Sequence, residues 1–253
     1  AAFAAPGAKL VEAVYEAPFL GHAPMEPLNC TVQLAPDRVD VWISTQAPMA
    51  VLQTAAKEAG VAPENVFVHN AFLGGGFGRR GGAPDELVHA IAVAKQVGKP
   101  VKLIWSREQD TRRDRYRPQA AARFKAALDP AGKTSAFQAR VAVPSLIRPG
   151  PQTAVASEPM AVECIANSFY GFPSRDIGVL LKNSHVPVSF WRGVGSSQNG
   201  FFIESFIDEM AHAAGQDPLA FRRALLAARP DALGVLDALA AKSDWGKPLP
   251  KGR

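Results

Sequence analysis

The stretch NAFLGGGFGRRGG, from Asn70 to Gly82, constrains this chain more than any other. Six glycines in thirteen residues disfavour both helix and strand interiors, where glycine gives up the most backbone entropy. The stretch is therefore a loop between regular elements, and its flanks say which. NVFVHNAF before it reads as a strand. PDELVHAIAVAKQVG after it has Pro84 near its start, apolar positions at Leu87, Ala90, Ile91 and Ala94, and a glycine stop at Gly98, which predicts a helix. A strand–loop–helix turn of this kind leaves amide N–H groups free and lets a ligand approach the backbone closely. Arg79 and Arg80 add charge and bidentate donors suited to phosphate. The plainer reading is a tight turn whose arginines face water. A Rossmann fingerprint fits poorly, because its third glycine falls at Arg79 and no acidic residue follows at ribose-reading spacing. A P-loop is excluded because no GK[ST] follows.

The rest of the chain supplies strands and helices in mixed order. VYEAPF, NCTVQLA and RVDVWIST read as strands separated by turns such as APDR. MAVLQTAAKEAG predicts a helix ending at Gly60, and KPVKLIWS a buried strand. SREQDTRRDRYRP carries five arginines interrupted by Glu108, Asp110 and Asp114, and is expected to be a solvated, salt-bridged loop. AARFKAALD and SAFQARVAV form a hairpin across PAGK, and IGVLLKNSHVPVSFW resumes strand character. Three helices close the chain, the second capped by Asp217 with Pro218 in its first turn. The expected fold class is α+β (mixed α/β), divided into a sheet-rich lobe with the glycine loop over 1–140 and a strand followed by helices over 141–253.

Composition narrows the function classes. The chain has 253 residues, 47% of them hydrophobic and 20% charged, which is globular usage. A net charge of +5 suits anionic ligands but is too small to argue for nucleic acid, and no nucleic-acid fold signature accompanies it. Cys30 and Cys164 show neither CxxC nor zinc spacing; two buried thiols are expected, with a single disulfide the alternative. No basic region precedes an apolar run at the start, so no leader is read there, and AAFAAPGAKL reads like the middle of a longer polypeptide.

Two further pieces join the loop. VDVWISTQAPM ends a strand at Gln46, thirty-one residues before Phe77 (77 − 46), with a helix and a strand between, so both can reach one pocket from adjacent strand ends. SFWRGVGSSQNGFFIESFIDEMA sets Arg192 before a glycine and serine turn and a long amphipathic helix, again a cation beside exposed amides at a helix N-terminus. His22 and Glu26, in GHAPMEP, are too close to prolines for a helical metal site and are read as a structured turn near the pocket.

STQAP, GGGFGRR and WRGVGSSQ, in that order, resemble the molybdenum-binding subunit of the xanthine dehydrogenase and aldehyde oxidase family. The double arginine, GHAPMEPLNCTV and SFIDEMAHAAGQDPLAFRRALL resemble its isoquinoline 1-oxidoreductase and membrane-associated aldehyde dehydrogenase branch. The resemblance implies the first half of a molybdopterin-binding region of the aldehyde oxidase type, with a molybdenum pterin that is usually the cytosine dinucleotide form in bacteria. The metal is held by the pterin dithiolene, so no protein metal ligand is expected. Gln46, Phe77 and Arg192 match residues at the metal. Gly74, Gly75, Gly76, Phe77, Gly78 and Arg79 match the loop against the pterin. Gly193, Val194, Gly195, Ser196 and Gln198 match the adjoining turn, although VGSS replaces the family's usual glycine- and proline-rich wording.

The implied reaction is hydroxylation of aldehydes or N-heterocycles with water as oxygen source. Electrons leave through [2Fe-2S] clusters on a small partner subunit, in some relatives toward a cytochrome c. The resemblance points to a bacterial protein in the periplasm or at the membrane, without excluding the cytoplasm. The family's general-base glutamate lies in a glycine-rich motif far toward the C-terminus, and none of the glutamates here sits in one. The chain is therefore expected to be a segment needing the remainder of its subunit. The competing readings are a non-catalytic assembly module on the same fold and an unrelated nucleotide-binding dehydrogenase.

Overall fold

The computed structural model describes residues 2–82, 84–147, 153–154, 158–249 and 252. Two sheets organise it. Strand β1 (Lys9–Ala17) is followed by β2 (Asn29–Ala35), β3 (Arg38–Ile43), helix α1 (Pro48–Ala59), β4 (Val66–Asn70), α2 (Asp85–Val97), β5 (Val101–Ile104) and α3 (Arg107–Arg112). Then come β6 (Ala120–Leu128), β7 (Thr134–Val143), β8 (Thr153–Ala154), β9 (Arg175–Lys182), α4 (Ser196–Ala213), α5 (Pro218–Leu225) and α6 (Pro230–Lys242).

The smaller sheet runs β4-β3-β2-β5, with β3 and β4 parallel and the other pairs antiparallel. Period-two alternation in the sequence sets its faces. Val32, Val39, Val41 and Ile43 are buried against Val51, Ala55, Leu87 and Ile91 of α1 and α2, while Trp42 stays on the outer face. Both helices stop where predicted: Gly60 and Gly98 take left-handed φ values of 83° and 61°, and their N–H groups bond back to Ala56 and Ala94.

The larger sheet runs β1-β6-β7-β9-β8 and packs against α4. The β6–β7 hairpin crosses PAGK, where Asp129 accepts from the N–H groups of Ala131 and Lys133 at 2.9 Å. On α4, Phe202, Ile203, Phe206, Ile207 and Met210 recur at helical spacing and are buried against Phe124 and Phe137. Asp217 caps α5 by accepting from Ala220 N–H at 2.9 Å.

Residue 140 lies inside β7, and of the two hydrophobic cores among the described residues one lies between Cys30 and Leu103, inserted between β1 and β6 of the other. Two expectations need correction. The arginine-rich stretch is not a solvated loop throughout, since it includes α3 and buries Asp110 and Asp114 at 3% exposure. Strand character after β9 ends at Lys182; Pro187 has no N–H to continue a ladder, and only an isolated bridge joins Val188 to Tyr116. Both cysteines are free, and burial pushes the Cys30 thiol up to about 12, so it packs as an inert apolar group.

Phe206 is fully buried and stacks on Phe124 at 5.2 Å. Phe206→Ala is expected to cost about 3–5 kcal/mol through lost burial and the cavity left behind, read as a drop in the urea midpoint at unchanged slope.

Candidate functional site

Parallel pairing of β3 and β4 puts Ile43 opposite Asn70, so the chain leaves both strands at the same edge. Ligand crevices in parallel sheets form at such carboxyl ends. The segment after β3 carries Gln46 and the segment after β4 carries the glycine loop. They are laced together. Thr45 N–H donates to Asn70 Oδ1 at 3.0 Å, Ser44 Oγ to Phe72 O at 3.0 Å, and Gln46 N–H to Arg80 O at 3.1 Å. Gly78 N–H then donates to Gln46 Oε1 at 3.1 Å. That bond fixes the amide so that its NH2 group, which makes no hydrogen bond among the described residues, is left toward solvent.

Close approach crowds two glycines, against a side chain at the first and against backbone at the second. A Cβ on Gly76 would lie 2.6 Å from Gln46 Oε1. One on Gly78, whose φ is +104°, would lie 2.2 Å from Phe190 O. The second contact marks a crossing where the segment bearing Arg192 lies against the glycine loop. Arg192 N–H donates to Phe77 O at 2.9 Å, and the Arg192 guanidinium sits 5.6 Å from the centre of the Phe77 ring. Phe77 holds a left-handed φ of 55° and Val194 one of 49°, strained conformations for side chains of this size. Among the described residues no hydrogen bond is made by the N–H groups of Gly75, Gly76 or Phe77. Arg192 is exposed and forms no ion pair there.

The double arginine is used differently from either reading of the sequence. Arg79 and Arg80 are 2% and 4% exposed, so neither faces water. Arg79, expected from the sequence at the cofactor, has its guanidinium buried beside Asp85 and Asp114. Arg80 donates to Gly75 O at 3.0 Å, Ser44 O at 3.3 Å and Glu26 O at 2.9 Å, and pairs with Glu26 Oε2 at 3.1 Å. Glu26 in turn accepts from Gly74 N–H and Asn29 at 2.9 Å. Burial raises the Glu26 carboxyl, but the bonds from Asn29 and Gly74 and the Arg80 charge outweigh it and hold the group below the usual carboxylate range. Arg79 donates to Asp85 at 3.2 Å, and its Nε lies 3.0 Å from Asp114 Oδ1. That Nε–H is not aimed for a hydrogen bond, so its contact with Asp114 is charge attraction.

The turn after Arg192 closes the arrangement. Val194 N–H donates to Trp191 O at 2.7 Å and Gly195 N–H to Glu163 Oε2 at 3.0 Å, and α4 starts at Ser196. Gly193 has φ +86°, and a Cβ on Gly195 would lie 1.8 Å from Met160 O. Gln198 is buried behind the turn, lining a cavity of about 10 Å³ with Met160, Trp191 and Val194, and its Oε1 has no partner among the described residues. Glu204 and Glu209 are engaged elsewhere, with Arg222 and Tyr170 for the first and Tyr15 for the second. Among the described residues no group of three or more His, Cys, Asp or Glu is placed to hold a metal ion.

The fold thus brings backbone amides, a side-chain amide and a cation together at one glycine crossing. The chain belongs to the molybdopterin cofactor-binding domain family, which it matches over residues 1–226. It is 34% identical over 250 residues to the isoquinoline 1-oxidoreductase subunit beta of Brevundimonas diminuta, covering 97% of this chain and 32% of that protein. It is 29% identical over 254 residues to the membrane-bound aldehyde dehydrogenase [pyrroloquinoline-quinone] of Gluconacetobacter polyoxogenes, covering 91% and 33%. The structure of quinoline 2-oxidoreductase from Pseudomonas putida 86 superposes with a TM-score of 0.80 at 19% identity, over 94% of this chain and 33% of that one, a likeness of fold. The chain thus spans about a third of the length of these relatives.

The free amides, the glycines with no room for a Cβ and the unpaired Arg192 fit an electron-rich group lying on the loop. Gly78→Ala is expected to force the 190–192 segment off the loop and lower the melting temperature by several degrees, about 1–3 kcal/mol for a strained or overpacked position. Gly81→Ala, with nothing within 4 Å of its Cβ, is the control and should leave melting nearly unchanged.

Glu26 and Asp114 both titrate lower folded than unfolded. Their stabilisation is therefore present above the unfolded carboxylate values of about 4 and is lost as pH falls through the folded ones. Urea titrations at falling pH should show stability declining below about pH 5, with a shallower decline in Glu26→Gln.

Proposed function

We propose that this chain walls the metal end of a molybdopterin within a molybdenum hydroxylase. One observation carries the reading: the Gln46 amide, the Gly75–Phe77 amides and the Arg192 cation, the last two unpaired among the described residues, meet at a single glycine crossing. When bound, the molybdenum pterin supplies two-electron redox chemistry, and this chain supplies binding, orientation and charge. Gln46 would help hold the group, its NH2 being able to donate without competing as a metal ligand. Gly74 to Gly78 hold the pterin through backbone, and the Phe77 ring bounds the pocket. Arg192 binds substrate or stabilises negative charge developing on it. Gly193, Val194, Gly195 and Ser196 contribute the second turn, backed by Gln198.

The substrates we assign are aldehydes or N-heterocycles hydroxylated with water. The named relatives support this class: isoquinoline 1-oxidoreductase, and aldehyde oxidoreductase from Escherichia coli at 27% identity over 213 residues. We assign the cytosine dinucleotide form of the cofactor, a small [2Fe-2S] subunit that takes the electrons, a cytochrome c beyond it, and a periplasmic or membrane-associated location. The last draws support from the membrane-bound relative; among the described residues no helix is long and apolar enough to cross a bilayer. The general base lies in the remainder of the subunit.

Joined to the rest of its subunit, the protein is expected to carry stoichiometric molybdenum by elemental analysis and to release a fluorescent oxidised pterin on denaturation. An extracted quinone with no molybdenum overturns the assignment. Arg192→Ala in that assembly should lower kcat/KM by about 10²–10³-fold, the scale for losing one charge-stabilising donor, with Arg192→Lys partly restored. The 253 residues alone should neither oxidise aldehydes or N-heterocycles nor hold stoichiometric molybdenum, and robust turnover by them would refute the placement of the base outside this chain.

A further inference from the structure

His22 belongs to the GHAPMEP turn, and its side chain is completely buried. Its Nδ1 lies 3.1 and 3.2 Å from the two carboxylate oxygens of Asp114, and its Nε2 lies 2.8 Å from Phe190 O. Asp114 also accepts from the His22 and Arg115 backbone N–H groups at 2.6 and 2.8 Å. Burial raises the Asp114 carboxyl, but the side-chain and backbone hydrogen bonds from His22 and the Arg79 charge outweigh it and hold the group below the usual carboxylate range. An ionised carboxylate and a backbone carbonyl are both acceptors only. Neutral imidazole has one N–H and one lone pair, so either tautomer would turn a lone pair onto an oxygen. Only the imidazolium satisfies both contacts.

We propose that His22 is a positioning residue held as a buried imidazolium, whose Nε2–H ties Phe190 O, and with it the Arg192 turn, to the GHAPMEP segment at the point where that turn crosses the glycine loop. The tie acts at the crossing itself, since Phe190 O is the atom against which Gly78 packs. Trp191 completes the clamp, its ring 4.8 Å from that of His22, so the cation also meets a π face. The charged group against it is Asp114, and behind Asp114 stand Arg79 and Asp110, then Asp85 and Arg115. The importance of the tie for catalysis rests on the function proposed above, but the protonation state and the clamp do not.

Two near-isosteric substitutions separate the two ends of the ring. His22→Asn keeps an N–H at the Nδ1 position toward Asp114 and loses the donor to Phe190 O. His22→Gln places its N–H at the Nε2 position and keeps that donor. Residue-resolved hydrogen exchange on the intact protein should show the Arg192 and Val194 amides exchanging about tenfold faster in His22→Asn, the scale of one ordinary hydrogen bond. His22→Gln should restore slow exchange, and the β6–β7 hairpin should be unchanged in both. Nitrogen-15 NMR of histidine-labelled protein at neutral pH should show both His22 ring nitrogens protonated, the signal being assigned by its loss in His22→Gln. A bare ring nitrogen, or equal exchange at Arg192 in the two variants, overturns the proposal. Neither readout needs a cofactor, so a protein without molybdenum would sink the enzymatic reading and leave this one standing.

Discussion

Two adjacent arginines hold the glycine loop in place. The loop between Leu73 and Gly78 has no ladder or helix of its own, so its carbonyls and amides need partners from outside. Arg80 gives one donor to Gly75 O and others to Ser44 O and Glu26 O, joining the ends of three separate segments through one guanidinium. Arg79 does the same by charge, drawing Asp85 of α2 and Asp114 beyond α3 toward the loop. Guanidinium suits this work because it is planar, always charged and rich in donors. Removing one partner of such a buried pair leaves an uncompensated charge, at about 3–5 kcal/mol. The loop is thus held for an electrostatic reason, and the Gly75, Gly76 and Phe77 amides make no hydrogen bond among the described residues while the arginines hold the rest.

Rigidity passes from the loop to the second segment through atoms in contact. Gly78 admits Phe190 O where any side chain would push it away, and Arg192 N–H closes onto Phe77 O one step further. The left-handed Phe77 and Val194 are tolerable only because both segments are pinned on either side. Strain of this sort normally collects where a backbone must present groups in one geometry. Here it flanks the cation and the aromatic ring that the site offers.

The parts of this architecture that follow local rules were legible in the sequence. Glycine stops at Gly60 and Gly98, the Asp217 cap and the PAGK hairpin need only neighbours within a few residues. The meeting of Gln46 with the glycine loop was legible too, because a strand–helix–strand unit returns the chain to an adjacent parallel strand. The arginines were not. Whether a guanidinium faces water, a ligand or a buried carboxylate depends on residues far along the chain: Glu26 for Arg80, Asp114 for Arg79. Asp114 lay in a stretch whose charge density reads as surface, and its burial follows only once β1 and β6 pair and bring that stretch behind the loop. A trace of the signal was present, since GHAPMEP and the double arginine both marked one branch of the family, which fits residues that pack together.

The exposed state of the assembled site also bears on what the chain can do by itself. A cation over an aromatic ring at a solvated surface contributes about 0.5–1 kcal/mol, and more once it is desolvated. Coulombic stabilisation of a developing charge follows the same course, weak in bulk water and several-fold stronger at the lower effective dielectric of a covered pocket. Arg192, Gln46 and Phe77 are all exposed, and beside them Phe72, Leu73 and Met25 turn apolar surface outward. The internal supports of the wall are therefore complete while its outer face remains in a medium that blunts its electrostatics. Covering that face would strengthen every interaction the site makes without moving an atom of it. Under the function proposed above, the reactive strength of the site would belong to the closed assembly, while the geometry belongs to this chain.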